Sequence, residues 1–270
     1  MKAMKLYAKV ERIYNELEAL GFADGVPLEV ETLVAFDQYH YHGTRALDVA
    51  TERLAIDAGT RVLEVGAGIG GPARYLAQST GCNITALELQ TDLDRVGRDL
   101  TARCGLADRI THHCGDVMDG ETRGEGYDAL LSLLVFLHIP RRAELFAICH
   151  ESLRPGGKIF IEDFTKRREP TDMQWQDLGV KVQCPSLEST ADYHRLLDEA
   201  GFTDMAIEDM SESWTAFTGE RYRTFCASRA RNLAVHGAEI VEGLEEFYRV
   251  ISTLYAEGVL GGLRVTATRR

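Results

Sequence analysis

Two carboxylates and a run of glycines are the residues of this chain best spaced to do chemistry. Glu64 stands two residues before Gly66 in Arg61-Val-Leu-Glu-Val-Gly-Ala-Gly-Ile-Gly-Gly-Pro72, and Glu88 follows Gly66 by 22 residues. Gly66, Gly68, Gly70 and Gly71, with Ala67 between the first two, permit a tight turn and let a ligand approach main-chain amides at a helix start. The GxGxxG spacing suits a dinucleotide as well as other nucleoside ligands. A carboxylate at position 64 would repel a pyrophosphate but favour a ligand carrying ammonium and sulfonium charges. Glu88 closes the apolar stretch Ile84-Thr-Ala-Leu87, the place from which an acid accepts hydrogen bonds from both hydroxyls of a ribose.

Other side chains could complete such a site. Asp116, after the run Arg109 to His113, could take a hydrogen bond from an adenine amino group or be an ordinary turn acid. His138 lies just past the apolar run Tyr127 to Val135, and an imidazole with an ordinary pKa of about 6.5 is suited to take the proton of an ammonium acceptor. Its other reading is a helix-capping or packing histidine. The cluster Ala35-Phe-Asp-Gln-Tyr-His-Tyr-His-Gly43 is too polar for a core and too apolar for a solvated linker, which suits a lid. Tyr39 and Tyr41 are pocket walls attractive to a cationic amine, or simple core. Trp175 and Trp214 are weaker candidates for that pocket. His40 with His42, and His112 with His113, lack a spaced carboxylate or cysteine partner, so no metal is expected.

The elements that position these residues follow from periodicity. Val62, Leu63 and Val65 read as a buried parallel strand, and Ala73, Leu76 and Ala77 as the helix after the turn. Further strands are expected at 84–87, 109–113, 127–135, 158–162 and 202–207, with helices at 45–56, 91–104, 142–153 and 190–200, and a turn at Arg154-Pro-Gly-Gly157. This alternation predicts a doubly wound α/β sheet. Leu6, Val10, Ile13, Tyr14, Leu17 and Leu20 predict an amphipathic cap helix over 4–20, stopped by Gly21. Residues 166–186, polar and carrying Pro170 and Pro185, read as an excursion over the sheet edge. Residues 213–256 read as helical, with Ile240, Leu244, Phe247, Tyr248 and Ile251 on one face, before a last strand over 261–268.

The 270 residues can bury a sizeable core, and a single domain is favoured: a helical lid over 1–57, a ligand-binding core over 58–165, and covering segments with the last strands over 166–270. With 30 Lys plus Arg against 42 Asp plus Glu, the net charge of −12 argues against nucleic acid and anionic membrane surfaces and for small-molecule partners. The cysteines form no CxxC pair and fit a reduced, cytoplasmic protein. No apolar block reads as a signal or a membrane span. The oligomeric state is left open.

With these pieces placed, the chain resembles class I S-adenosylmethionine (SAM)-dependent methyltransferases from about Phe36 onward. Val62-Leu-Glu-Val-Gly-Ala-Gly-Ile-Gly-Gly71, Leu87-Glu88, Gly115-Asp116, Ser132 to Pro140 and Leu153-Arg-Pro-Gly-Gly157 carry the likeness. The resemblance implies a Rossmann-like seven-stranded sheet whose last strand is antiparallel, with a helical insert before it. It implies SAM contacts at Glu64, Gly66, Ala67, Gly68, Glu88, Leu89, Asp116, Val117 and Leu133, and substrate contacts at Tyr39, Tyr41 and His138, with His138 catalytic. Asp37 to Gly43, Gly-Gly-Pro-Ala-Arg74 and the late insert look like the glycine/sarcosine/dimethylglycine, phosphoethanolamine and sterol methyltransferase relatives. Val182-Gln-Cys-Pro185 departs from the basic and tyrosine residues that hold phosphate in the phosphoethanolamine enzymes, and Ser132 to His138 departs from the Asn/Asp-Pro-Pro motif of nucleic-acid amino methyltransferases. A small amine is therefore the expected acceptor, with sulfur, oxygen or a sterol-like carbon as alternatives. A non-catalytic SAM-binding protein and a dehydrogenase are the remaining rivals.

Overall fold

The computed structural model describes residues 10, 12–119 and 124–270. Leu6, in the predicted cap helix, lies outside the described residues. The expected strands form one seven-stranded sheet: β1 (Arg61–Val65), β2 (Asn83–Glu88), β3 (Ile110–Cys114), β4 (Tyr127–Leu133), β5 (Leu153–Lys166), β6 (Phe202–Asp209) and β7 (Leu260–Arg269), ordered β3-β2-β1-β4-β5-β7-β6. β7 runs antiparallel between β5 and β6, and the pairs from β3 to β5 are parallel. The order reverses between β1 and β4. That switch point leaves a crevice beyond the carboxyl ends of the two strands, where open α/β sheets bind ligands.

Both faces of the sheet are covered, as near-continuous apolar strands require. Leu63, Val65, Leu130, Ile159 and Ile161 face Phe146, Cys149, Tyr193 and Leu197 of the helices Arg142–Ser152 (α6) and Thr190–Glu199 (α8). The alternate residues Val62, Ala129, Leu131 and Phe160 face Leu47, Ala50, Ala73 and Leu76 of Thr44–Leu54 (α3) and Gly71–Thr80 (α4). Thr91–Arg103 (α5) packs beside β2 and β3. The cap includes Arg12–Ala19 (α1) and the short helix Val30–Leu33 (α2).

Three expectations are corrected or refined. The turn at 154–157 does not interrupt β5, which is continuous from Leu153. It is absorbed as a register shift against Tyr127 and Ala129, with Gly156 at φ +76° and Gly157 too close to the Arg154 and Tyr127 carbonyls for a Cβ. Residues 166–186 carry regular structure of their own. They hold a helix, Asp172–Asp177 (α7), begun by a Thr171/Gln174 capping box, and a π turn, Leu178–Val182. The late insert is three helices, Ser211–Ala227 (α9), Arg229–His236 (α10) and Ala238–Ala256 (α11). Val241, Val250, Ile251, Leu254 and Tyr255 of α11 are buried; of the predicted face, Ile251 is among these, and Ile240, Leu244, Phe247 and Tyr248 line a cavity.

Candidate active site

The glycine turn closes β1 onto its neighbours. Gly66 and Ala67 both donate to the Leu87 carbonyl, and Gly66 sits at φ +76° against Val135, so close that a Cβ would stand 2.3 Å from its methyl. Gly68, at φ +57°, has no atom within 4 Å of where its Cβ would be. Its missing side chain opens onto a cavity of about 710 Å³ at the β1/β4 switch point. Glu64, Gly66, Ala67, Gly68, Glu88, Leu89, Asp116, Val117 and Leu133 all line that cavity.

Two of these carboxylates are withdrawn from water. Glu88 accepts from the Gly68 and Gln90 amides, both at 2.8 Å, and its burial raises its pKa against the pull of those bonds. A carboxylate offers about four lone-pair positions, so two remain for a ligand. Glu64 is 3% exposed, and its Oε2 has no hydrogen-bond partner. Burial pushes it up to about 8, with Arg74 pulling down and Glu88 pushing further up. A buried carboxyl with one oxygen left without a partner, beside an open glycine turn and a second acid, fits a ligand that carries positive charge. Asp116 is exposed and caps the turn through the Met118 amide at 2.9 Å.

His138 lies in a 3-10 turn, Phe136–His138, after β4. A buried cluster grips the backbone on both sides of it. Asp163 accepts from the Leu137 amide, Arg142 donates to the Ile139 carbonyl, and the Tyr193 hydroxyl and Arg142 both engage Asp163. Nδ1 of His138 is 2.9 Å from the Gln183 carbonyl. A carbonyl can only accept, so Nδ1 carries the hydrogen and Nε2 is left as an acceptor. Burial pushes the ring down to about 4; the Gln183 bond offsets part of this, and Arg142 adds to the depression. Leu134, just before this turn, holds φ +56°, a conformation that costs a branched residue on the order of 1 to 3 kcal/mol. Strain of this kind is met where a strand end must be re-aimed at a site.

A second cavity, about 770 Å³, lies under the cap and the late insert and shares Tyr39, Leu93, Leu134, His138 and Gln183 with the first. Tyr39 therefore stands between the two. Tyr41 reaches only the second and is 4% exposed, packed among Phe164, Trp214, Phe217 and Tyr255. Neither Trp175 nor Trp214 lines either cavity. Trp214 fills the space over Gly262, and Trp175 donates to Glu169. The histidine pairs diverge: His40 bonds the Gly43 carbonyl and His42 the Ser213 hydroxyl, while His112 is buried on Thr101 and His113 is exposed. Among the described residues no helix is long and apolar enough to cross a membrane.

Residues not singled out from the sequence prove central. Asp37 and Arg74 form a fully buried ion pair at 2.9 Å that ties the cap to the helix after the glycine turn, and Gly71 is required because a Cβ there would strike the Asp37 carbonyl. Arg12 and Arg221 stack on Tyr39 and Tyr41 in the second cavity. The Gly-Gly-Pro-Ala-Arg74 run was a signal for the first; nothing local signals the second.

Residues 39–207 match the methyltransferase domain family. The chain is 30% identical over 173 residues to Methyltransferase GfsG of Streptomyces halstedii, 63% of this chain and 62% of that protein. It is 28% identical over 198 residues to glycine/sarcosine/dimethylglycine N-methyltransferase of Actinopolyspora halophila, 67% of this chain but 35% of that one. The chain thus spans less than two thirds of the length of these curated relatives. In fold it is similar to Haemonchus contortus phosphoethanolamine N-methyltransferase 2, solved with phosphomonomethylethanolamine and S-adenosylhomocysteine. That TM-score is 0.78 at 19% identity, over 99% of this chain and 61% of that one. The matched segment runs through the glycine turn, both buried acids and the His138 turn, and with it the chain belongs to the methyltransferase domain family.

Proposed function

We propose that this chain transfers a methyl group from SAM to a small-molecule acceptor, at an amine nitrogen. The observation that carries the cofactor reading is Glu64, a buried carboxyl with a partnerless oxygen beside an open glycine turn. When bound, SAM supplies an electrophilic methyl on a sulfonium. Glu64 would hold its positive end, Glu88 the ribose, and the Gly66 to Gly68 turn the path between them. Asp116, Val117, Leu89 and Leu133 would wall the nucleoside.

The chain's own residues then govern the acceptor. Residues 58–165 would carry the cofactor, and residues 1–57 and 166–270 would cover the acceptor and exclude water, which is where most of the acceleration of such a displacement comes from. His138 is neutral across the physiological range, so its Nε2 can accept a hydrogen bond from an acceptor N–H. At about 4, however, it is too weak a base to strip an ammonium in solution. The apolar walls of the second cavity make up for this, since desolvation depresses an amine's pKa and lets it enter as the free base. Nitrogen-methylating relatives support the same acceptor atom.

The test is SAM turnover with a pool of amines, thiols and phenols, read as S-adenosylhomocysteine. Amine-dependent product is expected. Product only with thiols or phenols would move the acceptor atom, and SAM binding without any turnover would leave a binding protein. Bound reduced nicotinamide with no calorimetric signal for SAM would return the dehydrogenase reading.

A further inference from the structure

The second cavity says more about the acceptor than its reacting atom. Its volume of about 770 Å³ falls within the range of pockets for drug-sized ligands, about 300 to 1,000 Å³. An acceptor of a few heavy atoms would leave most of it to water. Its walls are largely apolar, with Phe36, Leu137, Phe164, Phe225, Leu244 and Phe247 among them.

Its charges are unevenly matched. The lining acid Glu16 is bonded by Arg231 and His236, and Glu246 is bonded by Lys181; Glu239 is also engaged. Two cations are left over. Arg12 lies 4.2 Å over the Tyr39 ring and donates to its hydroxyl, and Arg221 lies over Phe217, Tyr41 and Tyr248 and donates to the His40 carbonyl. Among the described residues no carboxylate stands within ion-pair reach of either. Tyr248 interacts with both guanidiniums, so the two approach one point of the cavity wall. Each guanidinium carries five N–H donors, and these bonds use only one or two of them. Aromatic stacking fixes the planes while leaving edges able to grip an anion through paired bonds.

From this we infer that the acceptor is a sizeable amphipathic molecule bearing an anionic group, a carboxylate or a phosphate, which Arg12 and Arg221 hold in the second cavity. The apolar body lies along the cavity's apolar walls, and the methyl-receiving atom reaches the shared wall at His138. This rests on the methyltransferase reading for the identity of the acceptor, but the anion site itself is testable without turnover.

The experiment is calorimetric titration of the full chain, saturated with S-adenosylhomocysteine, with four probes of one chain length: decanoate, decyl phosphate, decanol and decylamine. An anionic probe should bind about 10- to 100-fold more tightly than decanol, and decylamine no better than decanol. Whichever anion binds more tightly names the headgroup. Arg221→Gln and Arg12→Gln should each reduce that preference with S-adenosylhomocysteine affinity unchanged, and Arg221→Lys should retain part of it, which separates lost charge from lost folding. Equal binding of decanol, tighter binding of decylamine, or a preference that survives both glutamine variants overturns the inference. Failure of S-adenosylhomocysteine to bind would strike the methyltransferase reading instead, and the same probes would still report on the anion site in the free protein.

Discussion

The two cavities are of similar size and opposite construction. The first, at about 710 Å³, draws its key groups from 64 to 116, one continuous stretch of strands and turns, and holds buried acids without a full set of partners. The second, at about 770 Å³, gathers residues 12, 39, 181, 221 and 248 from elements far apart in sequence and holds two guanidiniums that, among the described residues, have no carboxylate within ion-pair reach. On the proposed readings, each is a hole of one charge for a ligand of the other. The first is fixed by backbone geometry and should tolerate little change. The second is fixed by side-chain packing and should be the more easily altered.

The largest expected effect therefore lies in the first cavity. Gly68→Val puts a branched side chain at φ +57° and into the open space beside the turn, so binding of SAM should be lost altogether. Calorimetry on a folded variant decides it, and normal affinity would mean that the glycine turn is not the cofactor's seat.

Next in size is the shared wall. His138→Ala should lower turnover by roughly 10² to 10⁴ with SAM affinity nearly intact if the imidazole orients or receives the acceptor's proton. Because the ring is too weak a base to strip an ammonium, parent and variant should share the pH dependence set by the acceptor's own ionisation, with a ratio that stays constant. The parent profile should show no histidine inflection between pH 6 and 8, because burial has already moved this ring to about 4. A defect that shrinks as pH rises would instead mean that His138 takes the acceptor's proton.

The same contrast explains what was legible beforehand. A strand, a glycine turn and an acid at a strand end are local features, so Glu64, Gly66, Gly68 and Glu88 could be placed from spacing, and the sheet followed from the alternation. The second cavity is a tertiary product. Periodicity marks an apolar helix face at Ile240, Leu244, Phe247 and Tyr248 but cannot say whether that face meets a core or a void. Arg12 and Arg221 look like solvated charges until the rings of Tyr39, Tyr41 and Tyr248 are seen beneath them. The helix Asp172–Asp177 had a local signal, Thr171 and Gln174 at capping-box spacing, which the flanking prolines masked.

Glu88 gives a smaller effect with a distinguishable cause. Replacement by Ala removes the bonds proposed to the ribose and frees the Gly68 and Gln90 amides, and should weaken SAM binding by on the order of 1.5 to 3 kcal/mol. Glu88→Gln retains an acceptor for one amide and should lose less. Equal affinities for parent and both variants, measured by calorimetry, would show that the ribose is held elsewhere.

The smallest effect is also the sharpest test of a hole of one charge. In the unfolded chain Glu64 titrates near 4.5, whereas in the fold burial holds its proton up to about 8. Between those values the folded protein binds the more protons, so this group's contribution to stability falls as pH rises through the window. A cationic ligand reverses the balance, because it favours the charged carboxylate; SAM binding should release a proton and tighten from pH 6 to 7.5 by up to about tenfold per unit. Glu64→Gln keeps the shape and removes the ionisation. The ligand-free variant should melt at or above the parent's temperature at pH 8, with the difference gone by pH 4.5, and its SAM affinity should be weaker and nearly flat with pH. A parent whose affinity does not change between pH 6 and 7.5, or a variant that binds SAM as tightly as the parent at pH 7.5, would mean that the buried acid does not meet the cofactor's charge, and that the first cavity selects its ligand by the glycine turn and Glu88 alone.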